Sequence, residues 1–130
     1  MPVPFWCLLI AVLIPYLIAG VGAYLRQQQL GSLDANNPRI QALQLEGAAA
    51  RALAAQSNAW EALAVFAPAV LVAHLAGADA GLSSAAAMVW LGSRVLHPVF
   101  YITDRAPLRS LSFLVGLVSS LCLFGLAATA

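Results

Sequence analysis

Charge is what this sequence has least of. Six Arg and five acidic residues are all that 130 residues carry, 8% charged against 62% hydrophobic, where a soluble domain holds roughly 25% charged residues. Lysine is absent altogether. With a mean hydropathy of +0.89, that scarcity excludes a water-soluble globular domain, and the net charge of +1 implies neither a nucleic-acid surface nor a strongly acidic partner. Alternation of apolar and polar residues is missing too, which excludes the segments of about 10 residues that build a transmembrane β-barrel. Cysteine is limited to Cys7 and Cys122. Both lie inside apolar runs, so they read as two buried small hydrophobes, and no metal site is expected.

What the chain has instead is long apolar runs. Met1 to Leu25 carries no charge, and Ala48 to Ala76, Gly81 to Thr103 and Pro107 to Ala130 are each long enough to cross a bilayer, since about 20 helical residues suffice. The first run lacks the basic start of a signal peptide and is long enough to span, so it is expected to stay as a helix. The expectation is an all-α integral membrane protein: one four-transmembrane-helix bundle over residues 1–130, with helices at about 3–26, 38–76, 81–103 and 106–129. Pro15 bends the first helix. Asn37 caps the second with Pro38 at its first position, and Thr103 or Asp104 caps the fourth. The second helix, nearly forty residues and about 58 Å long, protrudes from the membrane, and its many Ala residues let helices approach closely.

The few charges are placed with a strong bias. Arg26, Arg39, Arg51, Arg105 and Arg109 lie in or next to the first and third connections, while the N-tail, the GADAG turn and the C-tail have none. By the positive-inside rule both termini face out and those two connections are cytoplasmic.

Polar residues recur inside the apolar runs: Arg51, Asn58, Glu61, Arg94, His97 and Tyr101. An ionisable residue at helix centre costs roughly 2.5 to 3.5 kcal/mol on insertion scales, so each needs a partner or a cavity. Arg94, His97 and Tyr101 are spaced i, i+3, i+7 on one helical face. Counted from the outer helix ends, Glu61 lies about 22 Å deep and Arg94 about 18 Å, close enough in level for an ion pair, with Asn58 and His97 one turn nearer the cytoplasm. A structural strut needs one such pair. Here Arg51, Arg109 and Arg105 add cations with too few acids, which points to an anionic ligand. His74, near the outer end of the second helix, reads as interfacial, and Trp6, Trp60 and Trp90 as interfacial or packing residues.

Two stretches, NAWEALAVFAPAVLVA and RVLHPVFYITDRAPLRSLSF, resemble the MAPEG superfamily, the membrane-associated proteins in eicosanoid and glutathione metabolism. PFWCLLIAVLIPY and NNPR resemble its bacterial members, so the resemblance covers essentially the whole chain. It implies a four-helix protomer, a homotrimer, glutathione as co-substrate in a cleft between subunits near the cytoplasmic side, and residence in a bacterial inner membrane. It also implies that Asn58, Glu61, Arg94, His97, Tyr101, Arg109 and Ser110 contribute to the glutathione site, with Arg51 a looser match. Arg109 takes the place of the Arg that stabilises the glutathione thiolate, with Ser110 as second donor, and a cation beside a thiol of pKa about 8.5 raises the nucleophilic fraction. Ser57 stands where the prostaglandin-synthase branch has Arg, Phe113 stands where it has Tyr, and the third connection is one residue shorter. These departures point away from an eicosanoid substrate.

The function expected is a thiol-dependent transferase or peroxidase acting on a lipophilic electrophile that enters from membrane lipid. The alternative is a non-catalytic membrane protein of the same fold whose polar cluster is structural or binds a lipid or a partner.

Overall fold

The computed structural model describes all 130 residues and contains five helices and no strand: α1 (Val3–Leu30), α2 (Pro38–Ala42), α3 (Gly47–Leu75), α4 (Ala80–Ile102) and α5 (Ala106–Ala128). Four of them, all but α2, are long and apolar enough to cross a membrane. The chain is therefore an integral, multi-pass, all-helical membrane protein. α1 lies against α3 and α4, and α5 lies against α4 and α3. Large apolar side chains such as Leu13, Leu17, Leu71, Val99 and Leu121 point outward, the arrangement expected where the solvent is hydrocarbon.

What lies between the helices is mostly small. Ala49, Ala52, Ala55, Ala59, Ala69 and Ala73 form the buried face of α3. In lipid no hydrophobic force pulls helices together, and close backbone approach through small residues supplies the packing. The bulkiest packing centres on Phe66, whose ring stacks on Trp90 at 3.7 Å and 7° within a cluster with Cys7, Val70 and Leu123. A second cluster joins Ile14 and Ile18 to Ala55 and Ala59. Cys7 is buried as expected, whereas Cys122 faces outward. Pro15 and Pro68 sit inside α1 and α3 without ending them.

The ends of the helices differ from expectation in three places. α1 continues beyond Arg26 to Leu30, where Gly31 at φ 76 closes it in the left-handed conformation that Gly adopts without steric cost. The segment expected to form one helix over 38–76 is two. α2 is a single short turn, because Gln41 folds back to accept from Asp34 N (3.0 Å) and donate to Ser32 O (2.9 Å). Gln29 then clamps Glu46 through both its backbone N–H and its carbonyl (3.1 and 3.2 Å), and α3 begins at Gly47, φ 55. Pro38 does occupy the first position of α2, but Asn37 gives no side-chain cap. Lastly, Arg105 rather than Thr103 or Asp104 is the cap residue of α5; Thr103 ends α4, and Asp104 makes the turn at φ 61.

Candidate functional site

Asn58 of α3 meets Arg94 of α4 where the two helices pack. Arg94 is 3% exposed and His97 2%, an unusual depth for an arginine in a chain with so few charges. Arg94 Nη2 donates to Asn58 Oδ1 at 2.6 Å, a short charge-assisted bond that ties α4 to α3. The expected ion pair with Glu61 does not form. Asn58 and Glu61 are one turn apart on α3, and the guanidinium reaches the amide, leaving the carboxylate exposed on the surface of the protomer. Glu61 and Arg94 do share a cavity of about 180 Å³, walled by Val65, Trp90, Phe113 and Ser120.

From Arg94 the α4 face runs toward the end of the helix through His97 and Tyr101, whose rings meet edge to face at 5.6 Å. The Arg109 guanidinium, arriving from the first turn of α5, sits over the Tyr101 ring at 4.7 Å from its centroid, within reach of a cation–π attraction. The i, i+3, i+7 spacing thus produces a continuous row, Arg94, His97, Tyr101, with Arg109 closing it. His97 Nδ1 is buried with no hydrogen-bond partner. Chemically the row offers two cations, an unused imidazole nitrogen and a phenol.

The remaining candidates are peripheral to that row. Arg51 Nε donates to Ile102 O at 3.1 Å, so Arg51 ties the start of α3 to the last turn of α4. Ser110 is exposed next to Arg109. Arg105 is exposed at the α4–α5 turn. His74 is far from the row and packs edge to face on Phe5 at 4.9 Å. Trp60 meets Tyr16 in the same manner at 5.2 Å.

One contributor went unseen in the sequence. Gly116 is buried against the stem of Arg94, and a Cβ there would lie 3.1 Å from Arg94 Cδ and 3.0 Å from Ser93 Oγ. The signal for it was the i, i+4 recurrence of small residues Ser112, Gly116 and Ser120, all buried, which marks the α5 face turned to α4.

Compared with known proteins, the chain matches the model of the MAPEG family over residues 3–129, nearly its whole length. A comparison with curated proteins gives no match.

Proposed function

This chain belongs to the MAPEG family, and on that premise we propose that it binds glutathione, or a related low-molecular-weight thiol, and transfers it to or uses it to reduce a lipophilic electrophile drawn from the bilayer. The observation that carries this reading is the row of Arg94, His97 and Tyr101 closed by Arg109, in which two arginines have no carboxylate partner. Glutathione brings two carboxylates, one ammonium and one thiol. Arg94 suits a carboxylate, since its guanidinium is held in place by Asn58 and keeps further donors free. Exposed Glu61 suits the ammonium.

Arg109 is the residue to activate the thiol. It lies in the first turn of α5, half-buried over Tyr101, so its charge can stand beside a sulfur without the full cost of burial. A cation there favours the thiolate, the form that attacks the electrophile. Ser110, exposed beside it, is a second donor from the neighbouring position. The attack forms a carbon–sulfur bond and expels the leaving group of the electrophile, or, with a hydroperoxide, transfers oxygen to sulfur and releases an alcohol.

On the same family premise the proposal includes a homotrimer with the site completed between subunits, where the exposed Glu61 would meet its ligand, and the Arg-rich connections in the cytoplasm with both termini outside. For a bacterial protein that membrane is the inner one. The test is calorimetric titration of the purified protein with glutathione together with a conjugation assay on a soluble aromatic electrophile. Binding and turnover support the proposal; a folded protein that does neither belongs to the non-catalytic class.

A further inference from the structure

At the end of the bundle opposite the Arg-rich connections, the start of α1, the end of α3 and the first turn of α4 surround a cavity of about 160 Å³. No acid, Lys or Arg lines it; its walls are Phe5, His74, Ser83 and Ser84 with two prolines and two alanines. Pro2 and Pro4 have no N–H to offer, and the Pro2 carbonyl is taken by the N–H groups of Phe5 and Trp6 at 3.0 and 3.3 Å. The α1 wall is therefore apolar. Asp79 is not among the walls, and its Oδ1 accepts the Leu82 N–H at 2.8 Å to cap α4.

Two polar groups remain for a ligand. Serines inside these helices return their hydroxyls to a carbonyl one turn back, as Ser84 does to Ala80 O at 2.6 Å, Ser93 to Trp90 O at 2.7 Å and Ser119 to Val115 O at 2.8 Å. Ser83 does not. It is 7% exposed, and its Oγ is buried with no hydrogen-bond partner, which costs free energy unless something in the cavity supplies one. The second group is His74. Its ring meets Phe5 edge to face at 4.9 Å and 79°, so the two rings form a corner in the cavity wall.

We propose that this cavity holds the ring of a membrane quinone, a flat uncharged ring whose carbonyl oxygens accept from the Ser83 hydroxyl and the His74 imidazole, with its hydrocarbon tail leaving into the bilayer. Size limits the ligand first. Sites for drug-sized molecules run from roughly 300 to 1,000 Å³, so a cavity of about 160 Å³ takes one ring and not a lipid with its chains. Charge limits it next, because with no acid, Lys or Arg in the walls a phosphate or an ammonium would be buried without a counter-charge. A hydroxyl and an imidazole N–H match carbonyl acceptors, and a corner of two aromatic rings can stack on one face of a third ring and meet its edge. The inference is independent of the thiol chemistry, since none of these residues belongs to the α4 row.

The test is photolabelling of the full-length protein in bilayer discs, with a decyl-tailed azidobenzoquinone as probe and mass spectrometry to locate the label. In the wild type the label falls on the start of α1 and on the turn between α3 and α4. Unlabelled decylbenzoquinone suppresses it, whereas decylbenzene, with the same ring and tail but no carbonyl, does not. Ser83→Ala keeps the space and removes the hydroxyl, so it needs about three- to tenfold more quinone for the same labelling, the scale of one hydrogen bond. Since the hydroxyl has no partner to lose, the melting temperature of quinone-free Ser83→Ala equals or exceeds that of the wild type. His74→Leu also weakens labelling, and His74→Gln, which keeps an N–H donor, recovers part of it. Label spread over the lipid-facing helices, equal suppression by decylbenzene, or unchanged labelling in both Ser83→Ala and His74→Leu overturns the proposal. Equal suppression by a monoacylglycerol assigns the cavity to a lipid ester and overturns it too, as does a lowered melting temperature in Ser83→Ala, which would mean a hydroxyl already bonded within the protein.

Discussion

Arg94 decides what each neighbour is worth. Its guanidinium is buried and bonded to Asn58 at 2.6 Å, so Asn58→Ala leaves a desolvated charge one acceptor short, at a cost of about 1.5 to 3 kcal/mol for a hydrogen bond to a charged group. Glu61 is exposed and has no bond to Arg94, so Glu61→Gln should change protomer stability by less than about 0.5 kcal/mol. Reversible unfolding of both variants in mixed micelles checks the order, which would reverse if Glu61 were the true partner. The sequence placed Glu61 level with Arg94, and Asn58 one turn nearer the cytoplasm, because depth follows from counting residues along a helix. It could not choose between amide and carboxylate one turn apart, since that choice depends on helix rotation and on the length of one side chain. Tyr101 and Arg109 carry a second expectation. Tyr101→Phe keeps the ring under the guanidinium and should hold glutathione affinity within about twofold, whereas Tyr101→Ala removes a contact worth about 0.5 to 1 kcal/mol and should weaken binding about two- to fivefold by calorimetry.

Among the elements, α4 and α5 depend on Gly116. Any side chain there meets Ser93 Oγ and the stem of Arg94, so Gly116→Val should overpack the crossing by about 1 to 3 kcal/mol and misplace the guanidinium. The expected signature is a larger loss of glutathione affinity than of melting temperature, compared with Val at Gly92, where a Cβ meets nothing. The four spans were legible because apolar runs of this length have one physical solution in lipid, with backbone bonds closed within each helix. The break between α2 and α3 was not legible. It depends on Gln41 and Gln29 reaching residues 7 to 17 positions away, and such contacts leave no periodic trace. The positive φ at Gly47 is the local mark of that break, and Gly47→Ala should cost about 1 to 2 kcal/mol for a side chain held in the left-handed region.

For the molecule as a whole, Glu61 is exposed on the surface of the protomer while Arg94 and His97 beside it are buried, and the site proposed between subunits would give that carboxylate its partner. Family membership and the polar row together support thiol chemistry, and the central claim is that Arg109 makes a bound thiol acidic. The most direct measurement is a titration of the ultraviolet absorbance of thiolate, following glutathione bound to the purified protein from acid to alkaline pH. With Arg109 in place the bound thiol should ionise about 1 to 2 units below the free value near 8.5, since one unit corresponds to about 1.4 kcal/mol of charge stabilisation. In Arg109→Ala it should return to about 8.5 with binding retained, and Arg109→Lys should fall between. A bound thiol that ionises at 8.5 or above in the wild type, or an identical value in wild type and Arg109→Ala, would contradict the account.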